Sequence, residues 1–482
     1  MAKKNLPIKL FQKRQKIDDR RVEGGGNDSI PKWELSGQLL AERAESFIEP
    51  INELIEVFQK RNTSRSFIPA TLKIDIDDNA IAKSHRKDIQ KIFNGKVTKN
   101  NIIGFLDSNS AIVKVDSIEE GLQIKNNIAN FLKNPRGISA IESIEVFKPF
   151  IVDIEENQTV KISLIDFLNY EINNAIKIAF IKYCNEFGIE VKEVNYSPGL
   201  IIFKIKNASP AVLDSISDFE ALESITFMPK YQVETDSIES ENTVEIKTPT
   251  EGLEYPIVGV LDTGVSKNPY LEPWLLNDKF SSYPDELIDP MHGSCVSSII
   301  LYGDQLQGEN WTGNSGCKIF DATVFPDQKQ ESIDEDELVE NIREAIKENN
   351  HIKIWNLSLG TAAESDINDF SDFGKALDDI QLANDVIICK STGNCRNFEK
   401  GHPKSRVARS GDSVRSLVVG SVAHSKSTHD IADINHPSPF TRIGPGPANS
   451  IKPDIVSFGG NAGMKDGRRI ENGVNAIAHN GN

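Results

Sequence analysis

The sequence predicts an α/β protein in which a domain built on a parallel sheet follows two smaller α+β units of βαββαβ pattern. Three observations predict it. In the C-terminal half, apolar runs at Ile257–Leu261, Ile354–Leu357, Val386–Cys389 and Leu417–Val419 alternate with helical stretches at 293–303, 334–349 and 371–384. Apolar strands separated by helices read as a parallel sheet buried on both faces. Residues 70 to 230 carry one strand-and-helix pattern twice. Between these parts, residues 232–254 are acidic, polar and poor in aromatics, the composition of a linker.

Composition narrows the function classes. The 482 residues are 38% hydrophobic and 26% charged, enough for several packed cores, which excludes a disordered or fibrous chain. At ~150 residues per domain the length suggests about three domains. No window approaches the ~18 consecutive apolar residues of a membrane-spanning helix, so no membrane role is expected. Lys plus Arg is 54 against 71 for Asp plus Glu, and the formal charge of −17 argues against a generic nucleic-acid binder. The five cysteines (Cys184, Cys295, Cys317, Cys389 and Cys395) show no CxxC spacing, which predicts neither a zinc knuckle nor a disulfide framework. Met1 to Lys16 is basic with no apolar stretch behind it, so it is not a secretory signal, and the expected compartment is a reducing cytoplasm.

Taken in order, residues 1–32 are a basic flexible tail, with eight Lys or Arg among the first 21 residues. The sharper reading of that run is a nuclear-localisation or nucleic-acid arm. Residues 33–61 place Leu35, Leu39, Phe47, Ile51, Leu54 and Phe58 at helical spacing, one amphipathic helix interrupted at Pro50. The first α+β unit, 70–150, has a strand at Thr71–Ile76 and a helix over 79–94. Strands at Ile102–Leu106 and Ala111–Val115, a helix over 117–133 and a strand at Ile144–Phe147 complete it. The second, 151–231, has a helix from Leu164 to Phe187, strands at Val191–Tyr196 and Leu200–Ile205, a helix over 209–221 and a strand at Ile225–Met228. The linker 232–254 leads to the domain 255–482.

Four segments of that domain sit where an α/β sheet binds ligands, at strand carboxyl ends or a helix start. Ile257-Val-Gly-Val-Leu-Asp262-Thr-Gly264 ends an apolar strand in a carboxylate, or simply starts a turn there. His292-Gly-Ser-Cys-Val-Ser-Ser-Ile-Ile300 places an imidazole at a helix N-terminus; a lone His is as readily structural. Ile352-Lys-Ile-Trp-Asn356-Leu-Ser358-Leu-Gly360 offers a strand edge that an extended peptide can join. Val386-Ile-Ile-Cys-Lys-Ser391-Thr-Gly-Asn394 ends in a carboxamide suited to donating to a developing oxyanion.

In this order the segments resemble the subtilisin-like serine proteases, whose members read Asp-Thr-Gly, His-Gly-Thr-x-Val-Ala-Gly, Asn-x-Ser-Leu-Gly and Ala-Gly-Asn. Leu417-Val-Val-Gly-Ser-Val422, Phe440-Thr-Arg-Ile-Gly-Pro445 and Lys452-Pro-Asp-Ile-Val456 resemble further segments of that family. The resemblance spans residues 255 to 460. It implies a subtilisin-like three-layer domain with a parallel sheet. It also implies that the α+β units are ferredoxin-like and that the second is prodomain-like, with a cut inside 232–254. The other reading of that unit is a permanent accessory domain.

Carried over residue by residue, the resemblance makes His292 the general base, Asp262 the group that orients and supports it, and Asn394 the oxyanion-hole donor. Ser358, Leu359 and Gly360 would bind substrate backbone. Ser294, Ser298 and the pair Ser391-Thr392 depart from the family pattern by small-for-small exchange. Cys295, one turn from His292, makes the site sensitive to thiol reagents or is a buried inert thiol.

The larger departure is that no Gly-Thr-Ser-x-Ala-x-Pro segment, the family's nucleophile motif, occurs in the sequence. Ser457 lies at a position the family fills with Ala and is no substitute. The expectation is a serine endopeptidase whose nucleophile lies beyond Asn482, the alternative a peptide-binding pseudoprotease. No cofactor is required. Calcium sites are common in the family, but Asp285, Asp289 and Asp304 show no ligand spacing. The expected partners are protein or peptide substrates and, by family analogy, an AAA-type ATPase, with no nucleic acid and no membrane.

Overall fold

A computed structural model describes residues 31–81, 85–93, 101–231, 233, 244–313, 315–327, 329, 332–361, 363–395, 398, 405–466 and 468–480. Most of the basic tail, and linker residues 232 and 234–243, therefore lie outside the described residues. The chain divides into two compact units, one of residues 1–61, 71–104 and 109–146, the other of residues 62–70, 105–108 and 147–482.

In the first unit the amphipathic stretch is two helices, α1 (Gly37–Ser46) and α2 (Ile48–Lys60), and the break falls at Phe47 rather than at Pro50. Pro50 lies in the first turn of α2, where backbone N–H groups have no intrahelical acceptor, so the ring costs no hydrogen bond. Phe47 turns its side chain into the core. The remaining elements are β1 (Ala70–Ile76), α3 (Arg86–Phe93), β2 (Ile102–Phe105), β3 (Ser110–Val115), α4 (Ile118–Ala129), α5 (Pro135–Ala140) and β4 (Ile141–Val146). Their sheet runs β2-β3-β1-β4. Pro135 opens α5 and the Asn134 side chain caps it from Gly137 N, a helix the sequence reading passed over.

The second unit begins with another α+β sheet: β5 (Phe150–Ile151), β6 (Gln158–Leu164), α6 (Tyr170–Glu186), β7 (Lys192–Val194), β8 (Ile201–Ala208), α7 (Pro210–Ile216), β9 (Leu222–Phe227) and β10 (Lys230–Tyr231). The strand order is β5-β9-β6-β8-β7. The helix expected from Leu164 starts instead at Tyr170, where the Asn169 side chain accepts from Ile172 N. Leu164 is the last residue of β6, paired with Ile201. Val160, Ile162 and Leu164 are buried at period two, a strand signal that the helical reading overran.

Next come β11 (Ile257–Asp262), β12 (Phe280–Ser281), α8 (Met291–Gln307), β13 (Lys318–Thr323), β14 (Ile333–Asp334), α9 (Glu335–Glu348), β15 (Ile354–Leu357), α10 (Asp372–Asn384), β16 (Ile387–Ser391), β17 (Leu417–Val422), β18 (Ile455–Phe458) and the hairpin β19 (Gly460–Lys465) with β20 (Arg468–Gly473). Seven of these strands form one sheet in the order β12-β13-β11-β15-β16-β17-β18, with every pairing parallel. Strands β12, β13 and β18 are additions to the four expected.

Successive residues of a strand face opposite ways, and the two faces build two cores. Leu261, Phe320, Trp355, Leu357 and Ile388 pack with Leu338, Ile342, Leu377 and Ile380 of α9 and α10. Val260 and Ile319 pack with Leu301 and Tyr302 of α8 on the other face. The domain thus has the three layers of a subtilisin-like α/β fold. On the α8 face, however, the half of the sheet beyond β11 lies open: Ile354, Ile387 and Ile455 are exposed there, and Cys389, Leu417 and Val419 are only half-buried. The register places Ile354 beside Ile387, Cys389 beside Leu417, and Val419 beside Ile455.

Candidate active site

Asp262 is the last residue of β11, at the carboxyl end of the sheet, and none of it reaches solvent. Thr263 N donates to its Oδ1 at 2.8 Å. His292 is the second residue of α8, and its Nδ1 lies 2.7 Å from the same Oδ1. Two glycines permit this approach. Gly264 adopts φ +101°, a left-handed conformation that lets the chain turn away after the carboxylate. At Gly293 a Cβ would lie 2.2 Å from the Gly264 carbonyl, so any larger residue would push α8 off the turn. Ser294 ties the helix to the same loop through Ser266 N at 2.9 Å.

Burial opposes a charged imidazole, but the charge of Asp262 and its hydrogen bond outweigh that, and the His292 pKa is raised above its ordinary 6.5. An imidazole held by Nδ1 on a buried carboxylate keeps Nε2 for proton transfer and is stabilised once it becomes an imidazolium. Cys295 is a free thiol whose pKa is pushed up by burial and by Asp262, so it is a poor thiolate at neutral pH.

Strand β15 lies next to β11 in the sheet and β16 next to β15, and the other candidate residues follow their carboxyl ends. The Ser358 hydroxyl donates to Asn356 Oδ1 at 3.0 Å. Leu359 buries its side chain in the core shared with α9 and α10. Gly360 runs against Gly393, where an added Cβ would meet the Gly393 Cα at 3.9 Å. The substrate-edge residues and the Asn394 segment are thus side by side. Asn394 is exposed and bridges Thr441 in a short antiparallel pairing.

The residue that fixes Asn394 escaped the sequence reading. Arg442, buried, donates from Nε to the Asn394 carbonyl at 2.8 Å and from Nη1 to the Arg406 carbonyl at 3.0 Å, and so ties three segments together. It lies inside Phe440-Thr-Arg-Ile-Gly-Pro445, a segment the motif order had marked, but nothing in the sequence says where the guanidinium points. Lys390 was also missed. Its ammonium group is buried where β15 and β16 part, and it reaches the Leu359 carbonyl and, at 3.2 Å, the Ser391 hydroxyl. Burial lowers its pKa to about 7.

A cavity of about 210 Å³ opens beside His292, lined among others by Thr263, Asp289, Asp327, Lys329 and Val233. The three calcium candidates are occupied by other contacts: Lys279 with Asp285, Lys329 with Asp289, and Thr312 with Asp304. Among the described residues, the one acidic trio close enough to hold an ion is Asp334, Asp336 and Glu337, and the Lys204 ammonium already sits on all three. These residues do not fit a calcium site. No described helix is long and apolar enough to cross a membrane.

Known proteins resemble this chain in sequence family and in structure. The model of the subtilase family matches residues 254–481. Among solved structures, a mutant of the epidermin leader peptide processing serine protease EpiP from Staphylococcus aureus is 16% identical, with a TM-score of 0.42, over 67% of this chain and 86% of that one. The patellamide maturation protease PatA is 18% identical with a TM-score of 0.30, over 47% of this chain and 73% of that one. The prenylagaramide maturation protease PagA is 21% identical with a TM-score of 0.29, over 45% and 69%. No curated protein matches by sequence. The parallel sheet, the ordered motifs and the family match lead to one conclusion: residues 254–481 are a domain of the subtilase family, the S8 type of serine peptidase.

Proposed function

We propose that this chain supplies the base and the oxyanion donor of a serine endopeptidase that cleaves peptide bonds through an acyl-enzyme. The observation that carries the proposal is the 2.7 Å contact of His292 Nδ1 with the buried Asp262 carboxylate at the sheet's carboxyl end. His292 takes the proton of the attacking hydroxyl and passes it to the leaving amine. Asp262 fixes the tautomer and stabilises the imidazolium. Asn394 donates to the tetrahedral oxyanion, a contact worth about 3 kcal/mol in subtilisin itself. The backbone of Ser358, Leu359 and Gly360 pairs with the extended substrate.

The nucleophile in this reading is a serine in polypeptide that follows Asn482. Two observations support it. Residues 475–480 run along α8 from its C-terminal end, where Asn475 Nδ2 donates to Leu306 O, past Ser298, which accepts from Ile477 N, to Ser266, which donates to His479 O. The chain is thereby heading for the His292 end of the helix. The open apolar face around Ile387, Leu417 and Ile455 is what an apolar helix following that segment would cover, since parallel sheets are buried on both sides.

The second α+β unit acts as an inhibitory, prodomain-like module in the same reading. Its last strand, β10, pairs antiparallel with β14, and two residues further on Val233 lines the cavity beside His292. The module's own chain thus occupies the approach to the base. The test is to express the reading frame continued past Asn482 and assay peptide hydrolysis. Activity abolished by His292→Ala supports the proposal. A frame without a following serine motif, giving a protein that binds peptides but never cleaves them, refutes it and leaves the pseudoprotease.

A further inference from the structure

Strands β15 and β16 pair from Ile354 beside Ile387 to Leu357 beside Lys390, and then part. Beyond that point one chain becomes the edge Ser358 to Gly360 and the other leads to Asn394. Parting takes ladder carbonyls away from the N–H groups of the neighbouring strand, and a buried carbonyl needs another donor. Lys390 supplies it. By strand alternation its side chain lies on the same side of the sheet as Ile388, toward α9 and α10, and it is 1% exposed. From there Nζ donates to the Leu359 carbonyl, to the Ser391 carbonyl at 3.3 Å and to the Ser391 hydroxyl at 3.2 Å. One ammonium group thus bridges the two edges.

This cation has no carboxylate partner among the described residues, and burial alone lowers its pKa to about 7. The charged groups on the elements that cover this side are engaged elsewhere. Lys161 holds Glu335 of α9 and Asp372 of α10, and Lys204 holds Asp336. Ser371 donates to Asp412, beside Arg409, and Arg442 donates to backbone carbonyls. A buried cation without an anion destabilises the fold, and a methionine would fill the same space without that penalty. Stability is given up in this way where a site needs the group.

We propose that Lys390 is a positioning residue of the peptidase: its ammonium holds the substrate edge at Leu359 to the oxyanion strand at Ser391, and the two edges keep their working spacing only while it carries its proton. The proposal rests on the reading of Ser358, Leu359, Gly360 and Asn394 given above, and adds a second ionisation to it. The Leu359 carbonyl shares a peptide unit with the Gly360 N–H, so an ammonium on the carbonyl also polarises the N–H that an extended substrate would meet.

The sign of this ionisation is opposite to that of His292. The base acts only without its proton, so activity rises with pH through the His292 value. Lys390 acts only with its proton, so activity falls as pH rises through about 7. The neutral amine has two N–H groups for three acceptors, and its hydrogen bonds lose their ionic component. The two limbs together make a bell-shaped profile.

The test uses the polypeptide continued past Asn482 and an acetylated, amidated peptide substrate without ionising side chains. The wild-type kcat/KM is expected to follow a bell whose alkaline limb lies near pH 7. Lys390→Met should lose that limb and fall about tenfold or more at mildly acid pH, the worth of a charged hydrogen bond, while its denaturation midpoint at pH 7 rises. A residue kept for the fold alone would give the reverse, a lower midpoint and an unchanged profile, and that result overturns the proposal. A second measurement needs no hydrolysis. In residues 1–482 carrying nitrogen-15 glycine, the Gly360 and Gly393 amide signals should move together with a midpoint near pH 7. They should do so in His292→Ala as in the wild type, and stand still in Lys390→Met. Signals that do not titrate, or that titrate only while His292 is present, overturn the proposal. Titrating glycines in a polypeptide that hydrolyses nothing support the bridge between the edges while refuting the peptidase, so the two failures are distinct.

Discussion

At the scale of single residues, the Asp262–His292 contact has a direct electrostatic signature. A raised His292 pKa means that this group adds stability that is complete below 6.5 and disappears as pH rises through the folded-state value. Asp262→Asn removes both the charge and the ionic hydrogen bond and leaves only burial. The His292 titration followed by NMR should then move from above 6.5 to below it; an unmoved titration would mean that the contact is not made in solution. Lys390 predicts the opposite slope. Its folded pKa of about 7 lies below the unfolded 10.5, so unfolding takes up a proton between these values and its contribution to stability rises with pH across that window. At pH 7 the buried amine costs about 4 kcal/mol. Lys390→Met should therefore raise the denaturation midpoint at pH 7, with a gain that shrinks toward pH 10.

At the scale of elements, the site depends on close approach of backbones, and glycine substitutions should damage it before they damage the fold. Gly393 holds φ +92°, with a Cβ position 2.9 Å from the Ala408 Cβ and 3.1 Å from the Arg442 Cδ. Gly393→Ala should cost about 1–3 kcal/mol of stability and displace Asn394, and a lowered kcat with little change in KM, measured on the polypeptide continued past Asn482, would report it. Elements were legible in the sequence where one physical signal dominated. Strand β11, helix α8 and strands β15 to β17 announced themselves by apolar runs with small or polar residues at their carboxyl ends. Strand β6 was lost because Val160, Ile162 and Leu164 run straight into a helical stretch, and β13 because Asp321 and Thr323 interrupt its apolar character. The helix break at Phe47 follows from packing of an aromatic side chain, which no propensity encodes. The same division holds in the site: Asp262, His292 and Asn394 stand in motifs, whereas Arg442, Lys390 and the passage of Val233 beside His292 are consequences of tertiary approach.

At the scale of the whole molecule, two features of the subtilase domain call for partners: the acidic trio Asp334, Asp336 and Glu337, met by Lys204, and the open sheet face around Ile387, Leu417 and Ile455. Covering that face should stabilise the domain, since each fully buried aliphatic side chain is worth about 1.5–3 kcal/mol. A polypeptide continued past Asn482 should therefore melt at a higher temperature than residues 1–482 and bind less of a dye that reports exposed apolar surface. Equal melting would mean that the face is covered in some other way. The most direct test of the central claim is labelling of that continued polypeptide with a fluorophosphonate, located by mass spectrometry. The account predicts one adduct, on a serine shortly after Asn482, that forms at neutral pH and is lost in His292→Ala. No adduct, or one that forms equally well without His292, would contradict it.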